Sequence, residues 1–354
     1  MKGHNLMERK LFAVLMAFAV CGSAFSDALS KTDQYVNVLD AVSDFENSLW
    51  LLCDGFSIMA VNDGVLQMNR LHKRVKTMRE SYDKSFVPIF DFLEDKSVKC
   101  AKNMPKARAR ALEILVKAQE TPKSYGVTVS DAARKLYMQY VSSQMAFHRG
   151  CQLYMDQLFD LKIECAKQFV APDTFCKPTE NSMFGIKLGQ VIDFEDKDVR
   201  AKYGIYGISN GPDLTYGGSR KCSAFHFIPQ KKFQGFNCYL IHVDKKEKTV
   251  FDIKAEISPF GGNKRGDIYK IREETWHALA AKYQGKETQY ENTIMPWKEC
   301  KDEIKMADKV SVTLLAGTGP NLPSALEKFP DFKQWISISL NDAKRPKSGI
   351  DDAL

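Results

Sequence analysis

At Pro172 the spacing of apolar residues changes, and a chain with two different periods in its two halves cannot be one kind of layer throughout. Before Pro172, apolar side chains recur every three or four residues. Val36, Leu39, Val42, Phe45, Leu49, Leu52 and Phe56 mark a helix from Asp33 to about Met59. Asn62-Asp63-Gly64 reads as a turn. Val65, Met68, Leu71, Val75, Met78 and Tyr82 then follow the alternation of a coiled-coil seam, which runs on towards Leu93 with a disturbance at Pro88. Pro105 opens a shorter helix to about Gln119, and 121–128 reads as a loop. The clearest helix spans Val129 to Val170, with Ser130 and Asp131 as caps and Pro172 as its stop. Four amphipathic helices bury their stripes most simply as an antiparallel bundle.

After Pro172, glycine, aromatic residues and short alternating runs take over. Phe184–Leu188, Ala224–Ile228, Cys238–Val243, Thr249–Ile257, Val310–Leu315 and Trp335–Leu340 read as strands, and Lys245-Lys246-Glu247-Lys248 as a charged hairpin tip. Ile271 to Tyr283 reads as a helix with Trp276, Leu279 and Tyr283 on one face, and Ser324–Phe329 as one more helical turn. The expected class is α+β: an N-terminal antiparallel helical bundle over 27–172, then an antiparallel sheet domain with one main helix over 178–345. Residues 346–354 read as a loose tail, and no strong internal sequence repeat is present.

The first 26 residues carry an address. Lys2, Arg9 and Lys10 precede an apolar run from Leu11 to Val20, and Ala24 and Ser26 sit where a signal peptidase cuts before Asp27. A run of about ten residues is too short to span a bilayer, which takes about 20. The chain is therefore expected to be exported, periplasmic or secreted. Cys21 is an alternative lipidation site, although Val20 stands where a small residue is expected; membrane association is expected only in that case. Three basic residues and one acid leave with the leader, so the formal charge of +7 falls to +5 over 328 residues. No dense basic field remains, which argues against nucleic acid as a partner.

Of nine cysteines, eight lie beyond the leader: Cys53, Cys100, Cys151, Cys165, Cys176, Cys222, Cys238 and Cys300. An even number in an exported chain suits disulfides, and Cys53, Cys151 and Cys165 fall on apolar stripes facing other helices. No Cys-x-x-Cys pair points to zinc or thioredoxin-like chemistry. The hairpin from Cys222 to Val243 is where reactive side chains align. Cys222 and His226 share one strand face, as do Cys238 and His242. A turn centred on Lys232 pairs His226 with Cys238 and Cys222 with His242; a register two residues earlier pairs Cys222 with Cys238 as a disulfide candidate. A Cys/His nucleophile built from Cys222, His226, Cys238 and His242 is the alternative, with Asp244 the nearby acid. The basic stretch from Arg70 to Arg79 reads as a solvated outer helix face. No glycine-rich turn continues into the Gly-Lys-Ser/Thr of a nucleotide-binding loop, and neither cofactor nor metal is indicated.

Phe-Gly-Ile-Lys-Leu-Gly at 184–189, followed by an acidic run and hairpins, resembles the opening of small, uncharacterised exported bacterial proteins. It is more faintly similar to envelope lipoproteins of the SmpA/BamE type, although Tyr203-Gly204-Ile205 lacks the proline of their usual turn. The resemblance implies a fold type and a cell-envelope location. Together these features lead to the expectation of an exported, non-catalytic binding or scaffold protein whose bundle meets a protein partner. The alternative is an exported hydrolase using the Cys/His face of the 222–243 hairpin.

Overall fold

A computed structural model describes residues 29–54, 58–120, 131–169, 176, 179–216, 220–233, 235–257, 265–294, 297–306, 310–319 and 333–342. The segments expected as a leader (1–26, with Cys21), a loop (121–128), a helical turn (324–329) and a tail (346–354) lie outside them, as do Ser130 and Pro172.

The α+β class holds. Four helices form the N-terminal bundle: α1 (Lys31–Asp54), α2 (Ile58–Ser81), α3 (Val87–Glu120) and α4 (Asp131–Ala166). Each packs on the next, and α1 also touches α3 and α4. Ser30 starts α1, its Oγ accepting from the Asp33 N–H at 3.0 Å and donating to the Asp33 carboxylate at 2.7 Å. Leu39, Phe45, Leu49, Leu52, Met68, Leu71, Val75, Phe90 and Leu93 fill the core, the stripes read from the sequence.

Two helix boundaries differ from expectation. Asn62-Asp63-Gly64 is helical, inside α2. A Cβ on Gly64 would come within 2.8 Å of Leu52 Cγ, so glycine here permits close approach of α2 to α1 rather than a turn. The break between the first two helices comes earlier, α1 ending at Asp54 and α2 beginning at Ile58. The next joint lies at Tyr82–Phe86, where Asp83 caps a 3₁₀ turn, and Pro88 occupies the first turn of α3, where its missing N–H has no cost. Pro105 opens no new helix; it lies within α3, which continues to Glu120.

The second half begins with a small hairpin, β1 (Ser182–Met183) and β2 (Ile186–Lys187). The strand expected over 184–188 is thus mostly turn, with Phe184 and Gly185 at φ 53° and 87°. Helix α5 (Lys197–Tyr203) follows, capped by Asp196 and closed by left-handed Gly204. Then come β3 (Tyr206–Tyr216), β4 (Arg220–His226), β5 (Cys238–Asp244) and β6 (Val250–Glu256) as one antiparallel meander. The main helix, α6 (Arg265–Lys282), crosses to the far edge, and β7 (Lys286–Ile294), β8 (Trp297–Lys305), β9 (Val310–Gly319) and β10 (Lys333–Asp342) return as a second meander. β10 pairs with β6, giving an eight-stranded antiparallel sheet ordered β3-β4-β5-β6-β10-β9-β8-β7. Each meander follows a helix, a repeat of topology that the sequence does not display.

One sheet face is apolar. Phe225, Ile241, Ile253, Leu314, Ile338 and Leu340 pack there with Leu279 and Tyr283 at the end of α6. On β8, Asp302 points the same way and is buried against Arg272 of α6 in a two-bond pair at 2.6 and 2.7 Å. The opposite face is polar.

Candidate functional site: the polar sheet face under the bundle

Alternation along the strands places Cys222, Ala224 and His226 of β4, Cys238 and His242 of β5, and Asp252, Lys254 and Glu256 of β6 on that polar face. All four candidate side chains are therefore on one surface. Their register is neither of the two expected: Cys222 pairs with Asp244, Ala224 with His242 and His226 with Leu240. Cys222 and Cys238 are displaced by six residues along the ladder, about 20 Å at 3.3 Å per residue. They form no disulfide with each other. The hairpin slips because residues 227–237 close it with a long loop anchored by Phe236 and Tyr239, not with a tight turn at Lys232.

His226 and Cys238 do meet. The imidazole Nδ1 lies 3.6 Å from the Cys238 sulfur, which is 3.7 Å from Glu256 Oε1; Glu256 in turn pairs with Lys254 at 2.8 Å. Tyr206 of β3 stacks on the His226 ring, with centroids 5.2 Å apart. Above them the bundle supplies two charges. Lys162 of α4, only 1% exposed, donates to Glu46 Oε1 of α1 at 2.6 Å and to the Tyr206 hydroxyl. The Lys162 ammonium also sits over the Tyr206 ring, 4.6 Å from its centroid.

Burial decides the protonation of this group. It lowers the His226 pKa, assisted by Lys162 and opposed by Glu46 and Glu256. It pushes the Cys238 thiol and the Tyr206 hydroxyl well up, with Glu256 and Glu46 adding to the first and Glu46 to the second. At neutral pH the three side chains are therefore a thiol, a neutral imidazole and a phenol. A cysteine nucleophile needs the reverse, a thiolate stabilised by a nearby cation.

His242 has a different setting. Its Nδ1 lies 3.0 Å from Asp252 Oδ2 across the β5–β6 pair, and Asp252 is almost wholly buried. Asp252 Oδ1 finds no hydrogen-bond donor among the described residues. Asp244, the acid nearest in sequence, accepts instead from the Lys246 and Glu247 N–H groups and shapes the charged hairpin tip. The sequence reading did not single out Asp252, Lys162 or Glu46. Two signals were present: an acid inside the apolar run Val250–Ile253, and a lysine four residues after Leu158 on the buried stripe of α4.

The basic stretch of α2 is an outer face. Arg74 pairs with Asp44 of α1 at 2.6 Å, and Arg79 with Asp91 and Glu94 of α3. Among the described residues no three His, Cys, Asp or Glu side chains converge on a metal position, and no helix is long and apolar enough to cross a membrane. No family model, curated protein or solved structure matches the chain.

Proposed function

We propose that this is an exported, non-catalytic binding or scaffold protein of the cell envelope, with a protein partner on the outer surface of its bundle. The observation that carries this reading is the state of the His226–Cys238 pair. Its thiol is held protonated, its imidazole neutral, and both lie beneath α1 and α4. These groups join two layers of the fold rather than face a substrate.

The distribution of exposed apolar side chains adds support. Among the described residues, Trp50, Met59, Leu66, Val98, Val116, Met138 and Leu153 stand out on the bundle helices, with Met59 77% and Leu153 60% exposed. Val191 and Tyr290 are the only such large side chains described in the sheet half. Trp50 and Met59 flank the α1–α2 connection, so one end of the bundle offers an aromatic and a flexible thioether to a partner.

A hydrolase remains the second reading, and His242 favours it, since an imidazole nitrogen 3.0 Å from a buried carboxylate has the spacing of a base beside its orienter in a nucleophilic site. One experiment separates the two. A photo-crosslinking residue is placed at Met59, Leu153 or Val191, in the full chain in its producing cells, and the adducts are identified by mass. The binding reading expects one protein captured from Met59 or Leu153 and not from Val191, with capture lost in Trp50→Asp. Capture from Val191 alone, or ester or amide hydrolysis abolished by His242→Ala, overturns it.

A further inference from the structure

Cys53, in the last turn of α1, and Cys151, midway along α4, face each other in the bundle core. They are 98 residues apart in sequence, 1% and 2% exposed, and their sulfurs lie 2.6 Å apart. Unbonded thiols rest farther apart than this, while bonded sulfurs sit at about 2.03–2.05 Å. A small side-chain rotation joins them. The position has its own logic: short connections join α1 to α2 and α2 to α3, but α1 meets α4 only by packing. A third thiol, Cys100 of α3, lies near Cys151; burial foremost, then that neighbour, push it up to about 12, so it is a weak participant in exchange.

We propose that Cys53 and Cys151 form a disulfide that ties the first helix of the bundle to the last, with Cys100 remaining a thiol beside it. The two thiols give up two protons and two electrons as the S–S bond forms. The electrons pass to an external disulfide, through a mixed disulfide, and that oxidant leaves as two thiols carrying the two protons. Because both sulfurs are buried, exchange takes place before the bundle closes.

The test uses the full chain, reduced and unfolded, then refolded in mixed reduced and oxidised glutathione. Remaining thiols are alkylated, the protein is digested without reductant, and cross-linked peptides are mapped by mass. The expected result is a predominant Cys53–Cys151 peptide pair, two hydrogens lighter than its reduced parts, with Cys100 alkylated. Alkyl label on both Cys53 and Cys151, or a bond from either to Cys100, overturns the proposal. A second reading is the melting temperature, expected to fall on the order of 10 °C when reductant is added to the oxidised wild type. A wild type insensitive to reductant also overturns it, as does Cys53→Ala/Cys151→Ala retaining the full reductant effect.

Discussion

The bundle and the sheet dispose of their polar groups in opposite ways. Around a core dominated by aliphatic, aromatic and thiol groups, the bundle turns most of its charges outward and pairs some across the surface, as Arg74 does with Asp44, while Arg108 and Lys162 are buried. The sheet keeps an apolar face for α6 and turns a polar face towards the bundle, where Lys162, paired with Glu46, donates to the Tyr206 hydroxyl. The halves therefore differ in period but share their interior. Tyr206 and Ile228 from the sheet half lie in the bundle's core, and Phe159 of α4 lies in the sheet's. Arg200 and Lys197 of α5 also reach Asp40 and Asp33 of α1, at 2.5 and 2.7 Å. The two cores thus interlock where bundle and sheet meet.

The most severe test of that shared interior is Lys162. Lys162→Met leaves Glu46 partly buried beside the Tyr206 hydroxyl without its cation, and is expected to cost about 3–5 kcal/mol. Lys162→Met combined with Glu46→Leu removes both charges and is expected to recover most of that loss. Denaturant unfolding of the four proteins in the cycle measures it. A single-variant loss under about 1 kcal/mol would mean that the seam is wet and the halves nearly independent.

Gly64 sharpens the comparison from the bundle side. In an uncrowded helix, alanine for glycine gains about 1 kcal/mol. Here the new Cβ meets Leu52 Cγ at 2.8 Å and the Ser48 carbonyl at 3.2 Å, and overpacking of this kind costs about 1–3 kcal/mol. Gly64→Ala is expected to lower stability by about 1 kcal/mol net. A stabilised variant in the same unfolding assay would show that α1 and α2 have slack that the seam lacks.

The helices were legible because each carries a stripe that only a 3.6-residue period aligns, and propensity agreed with it. Their joints were less so: Gly64 and Pro105 are turn signals in isolation, and tertiary contact overrides both. On the sheet, the strands with apolar alternation were visible. β7 is exposed on both faces from Lys286 to Glu291, and β8 hides its alternation by pointing Asp302 inward at Arg272. That Cys222 shares a strand face with His226, and Cys238 with His242, followed from period two alone. Its register did not, because a loop held by Phe236 and Tyr239 sets it. The bundle's contribution to the site was invisible for a simpler reason: Lys162 and His226 are 64 positions apart and meet only through the fold.

The smallest expected effect is a pH dependence that separates seam from bundle. In the unfolded chain His226 takes up a proton near its ordinary 6.5, whereas burial foremost holds it lower in the folded protein. Below that pH the unfolded state binds more protons, so stability falls as pH drops from about 6.5. Cys238 and Tyr206 act at the other end. Their folded pKa values are raised, so the stability they contribute is complete below the ordinary thiol value of 9.0 and is lost as pH rises beyond it. Cys100 and Cys165, pushed up to about 12 mainly by burial within the bundle, have the same sign. The alkaline limb thus belongs to both regions, while the limb between pH 5 and 7 belongs to the seam. His226→Gln is expected to flatten the acid limb and leave the alkaline one in place, read as melting temperature from pH 5 to 10. An acid limb unchanged in that variant would move the titration to another group and remove the neutral imidazole from the account of how bundle and sheet are joined.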